Sequence, residues 1–91
     1  MKFKFDDHSF YLGDTDNRDA EITFVAKDDE LIVIDHTYVS EKLRGGGLAG
    51  ELVDAVVNYA RENNLKVAAT CSYAQRKLER TEQYKDVYAG K

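Results

Sequence analysis

Between Ala20 and Ala26 the chain alternates: Ala20, Ile22, Phe24 and Ala26 are separated by Glu21, Thr23 and Val25. A period of two predicts a half-buried strand. Upstream, Phe3 and Phe5 alternate with lysines, and after a polar DDHS turn (6–9) the apolar signal resumes over Phe10–Leu12. A second polar cluster, GDTDN (13–17), reads as another turn. The first third is therefore expected to consist of short antiparallel strands. KDDE (27–30) makes a tight connection into LIVIDHTYV (31–39), which is apolar and β-branched on both faces as a central strand requires.

Then the period changes. Leu48, Ala49, Leu52, Val53, Val56 and Ala60 recur at helical spacing, with Glu51, Asp54, Asn58, Arg61 and Glu62 on the wet side. ENN (62–64) ends this helix, and Leu65–Cys71 is again a short strand of buried type. Strand, helix and strand in that order predict a right-handed crossover between two parallel strands. A second helix is expected from Tyr73 to about Leu78, and the tail to Lys91 is expected to be helical in part. The predicted class is α+β: an N-terminal antiparallel meander running into one β-α-β unit, with a C-terminal helix. No repeat or linker interrupts residues 1–91, so a single domain is expected.

Composition narrows the functional classes. A chain of 91 residues can bury one core and no more. With 43% hydrophobic and 33% charged residues it lies outside the disordered class. No apolar run approaches the ~20 residues that cross a bilayer. The start, MKFKF, has no apolar segment of the signal-peptide kind, so a cytoplasmic location is expected. Cys71 is the single cysteine, which excludes an internal disulfide. Residues 1–39 hold 4 Lys/Arg against 10 Asp/Glu, a net of −6; residues 40–91 hold 9 against 7, a net of +2. This balance, with no basic run, argues against nucleic acid and places any phosphate-bearing ligand in the second half. Metal-ligand spacing is absent from the His, Cys and carboxylate positions, so no metal is expected.

That second half contains RGGGLA (44–49), where a strand hands over to a helix. Glycines let the backbone curl and let a ligand approach it closely. The first amides of a helix have no internal partners, and the helix dipole adds positive potential there. Arg44 adds a planar, charged donor fork. Together these features describe an anion site. A connector whose glycines only permit tight helix packing is the alternative. Among ligands, the nucleoside-triphosphate loop fails for want of a Gly-Lys-Ser/Thr ending. Gly45, Gly47 and Gly50 satisfy the dinucleotide spacing, but the chain is short for a doubly wound domain and Cys71 stands where an acidic residue should meet the ribose. Acyl-coenzyme A is the third reading.

The segment V-S-E-K-L-R-G-G-G-L-A (39–49) resembles the acetyl-CoA signature of the GNAT acetyltransferase superfamily, Val-x-Pro-x-x-Arg-Gly-x-Gly-x-Gly/Ala followed by a helix with an early leucine, here Leu52. It is closer to a group of very small GNAT-like proteins in which DHT precedes the signature and Cys-x-aromatic follows the next strand. Those motifs are here Asp35-His36-Thr37 and Cys71-Ser72-Tyr73, with Tyr84-Lys85-Asp86 echoing a Tyr-x-Asp near the end. The likeness covers roughly residues 20–88. Glu41 and Ser72 stand where proline is usual, and the elements that form the acceptor site of full-length GNAT enzymes have no counterpart. The resemblance implies a minimal GNAT-like fold with acetyl-CoA or coenzyme A held by Val39, Arg44, Gly45, Gly46, Gly47, Leu48 and Ala49. It also implies two splayed parallel strands with the pantetheine arm between them, and a backbone amide near Val39 polarising the thioester carbonyl.

Two side chains carry candidate chemistry. Cys71 is a potential nucleophile, and an imidazole nearby would raise its thiolate fraction. His36 is expected to serve in that way, so that Cys71 accepts the acetyl group transiently or lies against the thioester. Otherwise Cys71 is a small buried hydrophobe and His36 a hydrogen-bonded strand residue; unknown strand register leaves their meeting open. Tyr73 and Tyr84 follow the second parallel strand, where GNAT enzymes place a general acid, although aromatic packing accounts for both. Arg76, Lys77 and Arg80 read as a solvated helix face from which one could reach a ligand phosphate. The expected function is acetyl-CoA-dependent N-acetyl transfer to an unidentified amine, with acyl-CoA and that amine as partners and neither nucleic acid nor membrane. The alternatives are a non-catalytic coenzyme A-binding module and an interaction domain in which the glycines merely pack.

Overall fold

The computed structural model of the chain describes residues 3–89. Alternation produces strands β1 (Lys4–Asp6), β2 (Ser9–Asp14) and β3 (Asn17–Asp28), and the β-branched run produces β4 (Leu31–Val39). A short 3-10 turn, Glu41–Leu43, precedes helix α1 (Leu48–Glu62); β5 (Lys66–Ala69) and helix α2 (Ser72–Arg80) follow. The five strands form one sheet in chain order, antiparallel from β1 to β4, with β4 and β5 parallel. This is the α+β architecture expected from the sequence, a meander feeding a β-α-β unit.

Several boundaries moved: the DDHS and KDDE turns shrink to Asp7–His8 and Asp29–Glu30. The turn before β3 shrinks to Thr15 and Asp16, so β3 is longer than the alternation alone indicated. The last strand is only Lys66–Ala69, because its pairing with β4 stops there. The second helix extends to Arg80, beyond Leu78. The tail forms one 3-10 turn, Glu82–Tyr84, after which Tyr88 bridges Val67. Gly90 and Lys91 lie outside the described residues, as do Met1 and Lys2 of the MKFKF start.

Both helices pack on one face of the sheet. Ile22, Ile34 and Val67 from the strands meet Leu52, Val53, Val56 and Val57 of α1, and Ala74 and Leu78 of α2 join the same core. Each fully buried aliphatic side chain there contributes about 1.5–3 kcal/mol of burial free energy. Among the described residues no helix covers the other face, and Val25 and Tyr38 stand exposed on it. No helix among them is long and apolar enough to cross a membrane.

One irregularity positions everything that follows. Thr23 pairs with His36, but Phe24 pairs with Ile34, so Asp35 is an extra residue in β4. Such a bulge bends its strand and disrupts pairing locally. The β4–β5 ladder ends at the same place, with Ile34 opposite Ala69. The Ile34 carbonyl then accepts both the Thr70 amide (2.9 Å) and the Cys71 amide (3.4 Å). Beyond it β4 runs on to Val39 while β5 has ended, so the last residues of β4 have no β5 partner on that side.

Candidate functional site

The gap opens between the carboxyl half of β4 and the start of α2. Ser40 donates its amide to the Asp19 carbonyl on the β3 side (2.8 Å), so the preceding carbonyl, that of Val39, points the other way. Arg44 Nε binds that carbonyl at 3.0 Å. In an extended strand a residue's N–H and C=O face the same edge. The Val39 amide therefore points into the gap, where β5 offers it no ladder partner.

Below the gap is the glycine turn. Gly47 is the N-cap of α1 with φ +78°, and Gly45 has φ +91°. Both conformations lie in the left-handed region that side-chain-bearing residues adopt only at a cost. A Cβ placed on either would meet no atom within 4 Å, so the space over the turn is open to a ligand. Gly47 supplies no capping side chain, which leaves the first amides of α1 to an outside acceptor. A cavity of about 130 Å³ lies here, lined by Val39, Leu43, Arg44, Gly45, Gly47, Leu48, Ala49, Gly50 and Tyr73. Six of the seven residues expected to hold the cofactor are on its wall; Gly46 belongs to the same exposed turn but not to the wall. This donor set suits a pyrophosphate, since it combines uncapped amides, a helix N-terminus and a guanidinium with only one donor committed.

Cys71 caps the amino end of α2 and is partly buried at the mouth of the gap. Its thiol donates to Thr37 Oγ1 across the strands, at 3.6 Å. Burial acts on this thiol most strongly and upward. The Ala74 amide, the Thr37 hydroxyl and the amides of Tyr73 and Thr37 together outweigh it and hold the thiol below its ordinary value. Helix-start amides lower cysteine pKa values in this way.

His36 is not part of that arrangement. Adjacent strand residues point to opposite faces. Thr37 faces Cys71, so His36 faces the uncovered side of the sheet, where its Nε2 is 3.6 Å from Glu21 Oε2. The expected His36–Cys71 pair is thus replaced by Thr37–Cys71. The cause is register: the Asp35 bulge sets which residue of the DHT triplet turns inward, and nothing in the triplet itself announces it. Thr37 was missed for the same reason.

The tyrosines separate clearly. Tyr84 is buried, donates to Asp54 Oδ1 at 3.3 Å, and is pushed up to about 12 by burial and by the Asp54 charge. It belongs to the packing between α1 and the tail. Tyr73 is 43% exposed and lines the glycine cavity; burial and the neighbouring Cys71 charge raise its hydroxyl, which therefore keeps its proton at neutral pH. Among the described residues no group of three or more His, Cys, Asp or Glu is placed to hold a metal ion.

Comparison with known proteins is consistent with this geometry. A family model described as GCN5-related N-acetyl-transferase matches residues 9–87. The chain superposes on the solution NMR structure of a GCN5-like candidate N-acetyltransferase from Staphylococcus aureus with a TM-score of 0.83 and 48% identity, covering 98% of this chain and 88% of that one. A GNAT family acetyltransferase from Elizabethkingia anophelis with acetyl-CoA bound has a TM-score of 0.59 at 20% identity, covering 89% of this chain and 62% of that one. A Mycobacterium tuberculosis protein in complex with coenzyme A has a TM-score of 0.62 at 15% identity, over 87% of this chain and 56% of that one. At these lower identities the likeness is one of fold. No curated protein sequence matches. The match over residues 9–87 and the 48% identity to the S. aureus protein place the chain in the GCN5-related N-acetyltransferase family.

Proposed function

We propose that the chain transfers acetyl from acetyl-CoA to an amine, with the pyrophosphate on the Arg44–Ala49 turn and the thioester in the gap between β4 and β5. The observation that carries this reading is the single cavity that joins Val39, Arg44, Gly45, Gly47, Leu48 and Ala49 to Tyr73. Membership in the family, and acetyl-CoA or coenzyme A in two solved structures of the same fold, support it further. The Val39 amide donates to the thioester carbonyl and stabilises the oxyanion that forms on it.

Cys71 supplies the nucleophile on this reading. Its thiolate attacks the carbonyl carbon; a new C–S bond forms, the old one breaks, and the departing coenzyme A sulfur takes the Tyr73 hydroxyl proton. The acceptor amine then attacks the Cys71 thioester. The amide bond forms, the Cys71 thiolate is released, and the proton lost by the amine returns to Tyr73. Thr37 keeps the thiolate available by hydrogen-bonding to it, and His36 takes no part.

Incubation with acetyl-CoA, without acceptor, should add one acetyl mass to the protein at Cys71. A panel of amines should then release free coenzyme A thiol. Thr37→Val should move the pH midpoint of Cys71 alkylation upward, while His36→Gln should leave it in place. Thiol release that survives Cys71→Ala would replace the two-step route with direct transfer. Coenzyme A binding without turnover of any amine would leave a binding module.

A further inference from the structure

Helix α2 carries Arg76, Lys77 and Arg80 along one side, and the hollow they line with Tyr73 and Thr81 measures about 300 Å³. Tyr73 also lines the glycine cavity, so the two hollows share a wall. Arg76 and Arg80 are four residues apart and face the same way. Lys77 turns toward α1: a Cβ on Gly50 would lie 3.4 Å from its Nζ, so the ammonium rests over the first turn of that helix. A cation there faces the positive end of the helix dipole, in a first turn whose acidic residue is Glu51. Among the described residues Arg76, Lys77 and Arg80 form no ion pair, as Lys4, Lys27, Arg44 and Lys66 form none, but they are the three that line one hollow together, while Arg18, Lys42, Arg61 and Lys85 each reach a carboxylate. The chain has 17 acidic residues against 13 basic ones, so scarcity of partners is not the reason.

We propose that this basic strip is a second phosphate seat, continuous with the glycine turn, and that it takes the 3′-phosphate of coenzyme A. The inference rests on the coenzyme A reading of the turn and names what distinguishes that ligand from other pyrophosphates. A ligand whose pyrophosphate lies on the turn and whose remaining portion passes Tyr73 brings a further phosphate group to the strip. There it neutralises three cations that the protein leaves without acids. Arg76 and Arg80 offer planar donor forks to the phosphate oxygens, and Lys77, between the two hollows, is a point charge to either phosphate group.

Calorimetric titration with coenzyme A and with 3′-dephospho-coenzyme A tests this directly. The unaltered protein should bind coenzyme A roughly tenfold or more tightly than the dephospho form, as charge-assisted bonds to a phosphate require. The triple variant Arg76→Gln, Lys77→Gln, Arg80→Gln should lose that preference. It should still bind dephospho-coenzyme A within about threefold of the unaltered protein, the residue of any Lys77 effect on the pyrophosphate. Arg44→Gln should weaken both ligands and keep their ratio. Equal binding of the two ligands by the unaltered protein, or a preference that survives the triple substitution, overturns the proposal while the coenzyme A reading stands. If neither ligand binds, that reading falls and takes the second seat with it. Circular dichroism melting of the variants confirms that they are folded.

Discussion

Arg18 and Arg44 divide the molecule into two kinds of charge. Arg18 uses its whole guanidinium: Nη2 binds Asp6 at 2.7 Å, Nη1 binds Ser9 at 2.8 Å and Glu21 at 3.1 Å, and Nε binds the Thr15 carbonyl at 3.2 Å. Its Cζ also sits over the Tyr11 ring, 3.9 Å from the centroid. Arg44 is exposed and spends one donor, Nε on the Val39 carbonyl. The first arginine holds β1, β2 and β3 together on the face that no helix covers. The second braces the end of β4 and leaves the rest of its fork without a partner among the described residues. A charge with every partner in the fold serves the fold; on the proposed function, a charge left open beside uncapped amides serves a ligand.

The widest separation of the two roles should come from Arg18→Ala. It leaves Asp6 and Glu21 without their cation and uncovers Tyr11, so about 2–3 kcal/mol of stability should be lost. For a chain this short that is roughly 10–20 °C in melting temperature. The affinity of the folded variant for coenzyme A, titrated at a temperature where it remains folded, should be unchanged. A large loss of affinity would mean that the Arg18 cluster shapes the site as well as the sheet. Arg44→Ala is the reverse experiment. Affinity should fall by about 1–3 kcal/mol, as for a charged hydrogen bond, with stability of the free protein altered by under about 0.5 kcal/mol. An unchanged affinity would put the phosphates elsewhere.

A smaller effect sharpens the reading of the turn itself. Gly47→Ala should cost about 1 kcal/mol, because the residue sits at φ +78° and alanine is strained there although nothing crowds its Cβ. Gly46→Ala should cost almost nothing, since Gly46 has an ordinary φ and its Cβ would meet only the Leu43 carbonyl at 3.9 Å. Differential melting of the two variants checks this. Equal destabilisation would mean that the turn is constrained by contacts rather than by backbone conformation.

What could be read from the sequence follows the same division. The alternation of Ala20, Ile22 and Phe24 and the helical recurrence of Leu52, Val53 and Val56 are local signals, and the structure buries all six. The glycine turn between β4 and α1 was legible because its glycines are consecutive residues. The Cys71 environment was not, because it depends on which residue of β4 faces it. The Asp35 bulge makes that residue Thr37, and a bulge leaves no mark in the hydrophobic pattern. Arg76, Lys77 and Arg80 looked like an ordinary solvated face because a sequence does not show which cations find carboxylates. Lys77 approaches Gly50 across a separation of 27 residues, and only the packing of α2 on α1 brings the two together.

The finest test of the comparison is acid. Asp6 is lowered to about 2: the His8 amide is the largest influence, burial opposes it, and the Arg18 and Ser9 hydrogen bonds with the Arg18 charge add to the lowering. A carboxylate whose folded pKa is depressed contributes stability that is fully present above its unfolded value near 4 and lost as pH falls through the folded value. The Asp6 side chain is 42% exposed, so solvent screening limits the contribution to under about 1 kcal/mol. The melting-temperature difference between the unaltered protein and Asp6→Asn should therefore be constant from about pH 7 down to about pH 5 and shrink as pH falls from about 4 to about 2. A difference that persists unchanged at pH 2 would mean that Arg18 holds Asp6 by shape and hydrogen-bond geometry rather than by charge. Arg44, with no carboxylate partner among the described residues, should contribute no such term. Adding Arg44→Ala to both proteins should therefore leave the acid dependence of their difference as it was.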